Sequence, residues 1–86
     1  MTVKQFIKKH GWNISCDMST PHRYMNVNVV FENNGQMDET QFSIKSFNGK
    51  ELSTLFTDFC KENNLPANTV INIVVVQTAE KMEDLD

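Results

Sequence analysis

The segment "FENNGQM", residues 31–37, constrains this chain more than any other stretch. Asn34-Gly35 readily takes positive φ at both positions, as required by the tight turn whose twist matches a pair of antiparallel strands. The residues before it alternate, with Met25, Val27, Val29 and Phe31 set against Tyr24, Asn26, Asn28, Val30 and Glu32. A period of two puts one set on each face of a strand. After the turn, Thr40 to Phe47 reads as the return strand, with Phe42 and Ile44 inward. Met37 to Glu39 reads as a loop or bulge that prolongs the turn. A hairpin with one apolar face is marginal alone and needs a second layer.

Two helices supply that layer. Thr2 and Gln5 form a capping-box pair, and Val3, Phe6 and Ile7 follow at helical spacing. Lys8, Lys9 and His10 lie in the last turn, where positive charge suits the carbonyl end of the helix dipole. Gly11 stops the helix in a left-handed conformation, and Trp12 is placed to fold back on Ile7 as in a Schellman motif. The second helix starts with a hydrophobic staple around a capping box, Phe47, Asn48, Glu51 and Leu52. Leu52, Leu55, Phe56, Phe59 and Cys60 make its core-facing stripe. Asn63 or Asn64 takes the left-handed stop, and Pro66 prevents continuation.

Two further strands complete the order. Trp12, Ile14, Cys16 and Met18 alternate with Asn13, Ser15, Asp17 and Ser19, a half-buried strand broken at Pro21. Val70 to Val76 is β-branched and almost wholly apolar, a strand with both faces at least partly covered. The sequence α-β-β-β-α-β, with right-handed crossovers, predicts an α+β two-layer sandwich. Both helices share one face of a four-stranded mixed sheet, whose fourth strand runs parallel to the third and lies beside the first. Residues 1–79 form this single domain, and 80–86 form an acidic, flexible tail.

Composition narrows the function classes. A chain of 86 residues buries about 60–65% of its unfolded surface, which leaves a thin stability margin. No run approaches the ~20 apolar residues of a membrane helix, and "MTVKQFIKKHGW" does not read as a signal peptide. Two cysteines are too few for a disulfide scaffold and fit a reduced, cytoplasmic protein. Residues 1–31 hold four cations and one acid, residues 32–79 six acids and three cations, and the tail four acids and one lysine. The body is therefore close to neutral, without the footprint of general nucleic-acid binding.

Reactive residue types crowd into "HGWNISCDMSTPHRY", residues 10–24, but the period separates them. Cys16 and Asp17 point to opposite faces, and the spacings of His10, Cys16 and His22 match no zinc pattern. No metal or cofactor is expected. Cys60 lies on the second helix's stripe, so both cysteines face the layer between helices and sheet. The acid pairs Asp38-Glu39 and Glu83-Asp84 fall by the turn and in the tail, and no nucleotide, hydrolase or metalloprotease motif occurs. A non-enzymatic role is expected. The first five elements share their order with the double-stranded RNA-binding domain, which needs a basic cluster at its last helix. Here that position reads "NGKELST", one lysine beside a glutamate, so only the order is shared.

One surface remains. If Ile71, Ile73 and Val75 face the helices, Asn72, Val74 and Val76 face away; the reverse phase exchanges the sets. Either way aliphatic side chains lie on the far side of the sheet, and each would be worth roughly 1.5–3 kcal/mol if buried. Val30 and Tyr24 join them at the margin. The expectation is a protein-interaction module that self-associates or docks a partner through the open sheet face or a strand edge. One alternative is a nucleic-acid-associated accessory protein using Lys4, Lys8, Lys9 and Arg23. A second is a small acidic inhibitor encoded by a phage or mobile element.

Overall fold

The computed structural model describes residues 1–17, 23–45, 49–65 and 69–85. The elements are α1 (Val3–His10), β1 (Asn13–Ile14), β2 (Tyr24–Asn33), β3 (Gln36–Lys45), α2 (Gly49–Glu62) and β4 (Val70–Ala79). A 3-10 turn at Met82–Asp84 follows. The strands form one four-stranded mixed sheet in the order β1-β4-β2-β3. β2 is antiparallel to both β3 and β4, and β1 is parallel to β4. The fourth strand thus runs with the third and lies beside the first.

Both helices sit on one face. Val3 and Phe6 of α1 and Leu52, Phe56 and Cys60 of α2 join Met25, Val27, Val29, Phe31, Ile44, Val70, Ile73 and Val75 in a single core. α1 lies on β4, α2 on β3, and the helices touch each other. Aromatic rings tie α2 to the hairpin. Phe56 stands edge-on to Phe31 at 5.3 Å and to Phe42 at 6.4 Å, and Phe59 does the same at 6.1 and 6.3 Å. Such T-shaped pairs add about 0.5–1.5 kcal/mol each beyond the area they bury.

The local signals act where the residues place them. Thr2 Oγ1 accepts from Gln5 N–H at 3.2 Å and Gln5 Oε1 accepts from Thr2 N–H at 3.0 Å, a complete capping box. At the end of α1, Gly11, at φ 73°, donates its N–H to the Ile7 carbonyl at 2.9 Å, and Ile7 and Trp12 both pack against the core. A Schellman motif closes α2. Asn64, at φ 55°, donates to the Lys61 carbonyl, and Leu65 donates to the Cys60 carbonyl at 2.8 Å. The staple residues Phe47 and Asn48, and Pro66, lie outside the described residues.

Three strand expectations need correction. Met37 to Glu39 is not a loop: β3 begins at Gln36, immediately after Asn34 (φ 52°) and Gly35 (φ 81°), and pairs with β2 without a break. A two-residue turn sets the register at once, and an edge strand tolerates charges because only one side is paired. β1 is two residues long and ends at Ile14 rather than running on through Cys16, while Met18 lies outside the described residues. Ser15 N–H still reaches the Val75 carbonyl at 2.9 Å, but Ile14 is exposed because it lies at the sheet margin. Lastly, β4 extends to Ala79 and carries two register shifts. Val30 pairs Asn72 while Phe31 pairs Val70, and Asn26 pairs Gln77 while Val27 pairs Val75. Ile71 and Val76 are the extra residues of two bulges, so Ile71 does not share a face with Ile73 and Val75.

Candidate functional site

The reactive residue types do not assemble. His10 is exposed, with its ring 4.9 Å from that of Phe6 in the preceding turn. Cys16 is half-buried and Asp17 exposed, while His22 lies outside the described residues. Cys60 is buried in the core, and that burial pushes its thiol pKa up, so it is a poor nucleophile near neutrality. Asp38 and Glu39 diverge as neighbours on a strand must: Asp38 accepts from Asn33 Nδ2 at 3.2 Å, and Glu39 accepts from Asn28 Nδ2 at 3.0 Å. Among the described residues no three His, Cys, Asp or Glu side chains come together.

The basic residues separate as well. Lys4, Lys8 and Lys9 are exposed on α1, whose start is tied to the beginning of β4 by Val70 N–H on the Met1 carbonyl at 2.8 Å. Arg23 precedes Tyr24, which pairs Ala79 at the other end of β4. At ~3.3 Å per residue, most of the sheet's length lies between Lys4 and Arg23. Lys4 instead lines a groove of about 500 Å³ between the helices with Ile7, Lys50, Ser53 and Thr54.

The open face of the sheet is where side chains converge. At its centre Asn26 is fully buried, although it belongs to the outward, polar phase of β2. Ser43 Oγ donates to Asn26 Oδ1 at 2.5 Å, and Asn26 Nδ2 donates to Gln77 Oε1 at 2.9 Å, linking β3, β2 and β4. The next row holds Asn13, Val74, Asn28 and Gln41. The row beyond holds Asn72, Val30 and Glu39, with Asn13 Nδ2 donating to Asn72 Oδ1. Asn28 Oδ1 is shielded without a hydrogen-bond donor, an unfilled acceptor beside Val30 and Val74.

The aliphatic patch is narrower than the alternation implies. Val30 and Val74 are half-buried diagonal neighbours across β2 and β4, and Asn72 interrupts them. Val76 is half-buried at the second bulge, and Tyr24 is half-buried between Lys45 and Ala79. The acidic tail turns back at Met82–Asp84, where Gln77 Nε2 donates to the Asp84 carbonyl at 3.3 Å. The face is thus a hydrogen-bonded polar sheet with a small apolar centre.

No family model, characterised protein or solved structure matches this chain. Its chemistry is read from the geometry alone. Amide and hydroxyl groups in fixed rows, with two valines between them, offer directional hydrogen bonds and a little apolar contact, as polar recognition surfaces do. The role of Asn26 was not legible in its residue type, but an asparagine in the middle of a central strand, where the residue is disfavoured, was the available signal.

Proposed function

We propose that this chain is a non-enzymatic protein-interaction module that binds a protein partner, a second copy included, through its sheet. The supporting observation is a four-stranded sheet with both helices packed on one face, which leaves Asn28, Val30 and Val74 half-buried on the other. Tyr24, in the same phase of β2 as Asn28 and Val30, extends that surface toward one end. No helix among the described residues is long and apolar enough to cross a membrane. The reading takes the module as cytoplasmic, which its low cysteine content fits.

The nucleic-acid alternative has less support, because Arg23 and Lys4 lie near opposite ends of β4. Affinity capture from the source cell with the full chain separates the two readings. A partner protein retained by the wild type and by Lys4→Ala with Lys8→Ala, but lost with Val30→Lys and Val74→Lys, supports the sheet. Retention of that partner by the valine variant and loss by the lysine variant overturns it. Circular dichroism of each variant establishes that the fold is intact.

A further inference from the structure

Among the described residues the two edge strands are β1, which pairs β4 over Asn13 and Ile14, and β3, which runs from Gln36 to Lys45 and is paired on the β2 side alone. The direction of its remaining backbone groups follows from β2. Glu32 N–H donates to the Thr69 carbonyl at 2.9 Å, on the β4 side. In an antiparallel ladder the two directions alternate along a strand, so Phe31 and Asn33 bond toward Asp38 and Gln36 of β3. The even-numbered residues of β3 are therefore engaged with β2. Met37, Glu39, Gln41, Ser43 and Lys45 direct N–H and C=O outward, and their exposed side chains lie on the open face. Gln36–Lys45 contains no proline, glycine or bulge to blunt this edge.

We propose that β3 pairs antiparallel with β3 of a second copy about a two-fold axis at Phe42, joining the two sheets into one. The inference rests on the reading of the sheet as an interaction surface and names its occupant. Charge selects that occupant. Alternation permits only registers in which odd-numbered residues face odd-numbered ones. With Phe42 opposite its symmetry mate, Glu39 lies opposite Lys45 and Gln41 opposite Ser43, each twice. Moving the axis to Gln41 sets Lys45 against Met37 and Glu39 against Ser43; moving it to Ser43 sets Lys45 against Gln41. Among these neighbouring registers, the Phe42 axis alone pairs Glu39 with Lys45. Opposite charges directly across strands favour pairing, and like charges oppose it. Asn28 already holds the Glu39 carboxylate on this face at 3.0 Å. On the helix side Phe42, half-buried against Phe56 and Phe59, gains cover from its mate. The contact is isologous, so it uses the same edge on both copies and closes at a dimer.

Sedimentation equilibrium of the full chain over a wide concentration range tests the proposal. The wild type is expected to dimerise. Glu39→Lys and Lys45→Glu are each expected to weaken dimerisation about tenfold, because each sets like charges opposite one another twice. Mixing the two variants restores every opposite-charge pair, as does combining both changes in one chain, so both return to the wild-type affinity. Gln41→Pro removes an outward N–H while leaving the β2 ladder intact, and abolishes the dimer. A wild type that stays monomeric throughout overturns the proposal; partner capture that still depends on Val30 and Val74 would then leave the sheet reading standing. A dimer indifferent to the charge reversals, or not restored by mixing, also overturns it. Circular dichroism separates these outcomes from misfolding.

Discussion

Replacement of Phe56 by alanine is expected to lower the free energy of unfolding by about 3–5 kcal/mol, measured as the shift of the urea midpoint. Phe56 is 1% exposed and touches both strands of the hairpin, standing edge-on to Phe31 and Phe42. Truncation removes the apolar area, both ring contacts, and the atoms that fill the space between α2 and the sheet. A domain of this length has a total of only about 4–13 kcal/mol at ~0.05–0.15 kcal/mol per residue. Near the lower end of that range the loss leaves about 1 kcal/mol or less, and a sizeable unfolded fraction is then expected under native conditions. Phe42→Ala should cost less, because Phe42 is only half-buried. Equal losses at the two positions would show that the layer between α2 and the hairpin is not the main core.

Asn26→Ala is expected to cost about 1–3 kcal/mol, more than an alanine substitution in a sheet ordinarily does. Asn26 is fully buried, and its side chain accepts from Ser43 and donates to Gln77. Removing it takes away the acceptor of Ser43 Oγ and the donor to Gln77 Oε1 on a partly shielded face. Asn28→Ala should be milder. Asn28 is half-buried, and its oxygen has no donor to lose. Urea unfolding of the two variants side by side checks this, and a loss at Asn28 equal to that at Asn26 would contradict the network.

Much of the fold was legible because its signals are local. Asn34-Gly35, the Thr2–Gln5 box and Asn64 each act through their own backbone torsions or a bond three or four residues away. The misread parts depend on distant pairing. The alternation from Trp12 to Met18 suits a long strand, but β1 has only Asn13 and Ile14 in register with Val74 and Val75. The bulges at Ile71 and Val76 were hidden because a run of β-branched aliphatics carries no phase. Met-Asp-Glu at 37–39 looked like a loop because its polarity could not report that only one side of the strand is paired. The candidate surface was legible in outline through Val30 and Val74. Its buried centre at Asn26 and the length of the β3 edge emerged only with the strand order.

Residue-resolved amide exchange of the full chain, at low-micromolar and near-millimolar concentration, reads pairing at the β3 edge residue by residue. The outward amides of Glu39, Gln41 and Ser43 are expected to exchange fast in dilute solution and to become protected as concentration rises, while the α1 amides are unchanged. Fast exchange of those three amides at both concentrations, or concentration-dependent protection on α1 instead, would contradict pairing at that edge.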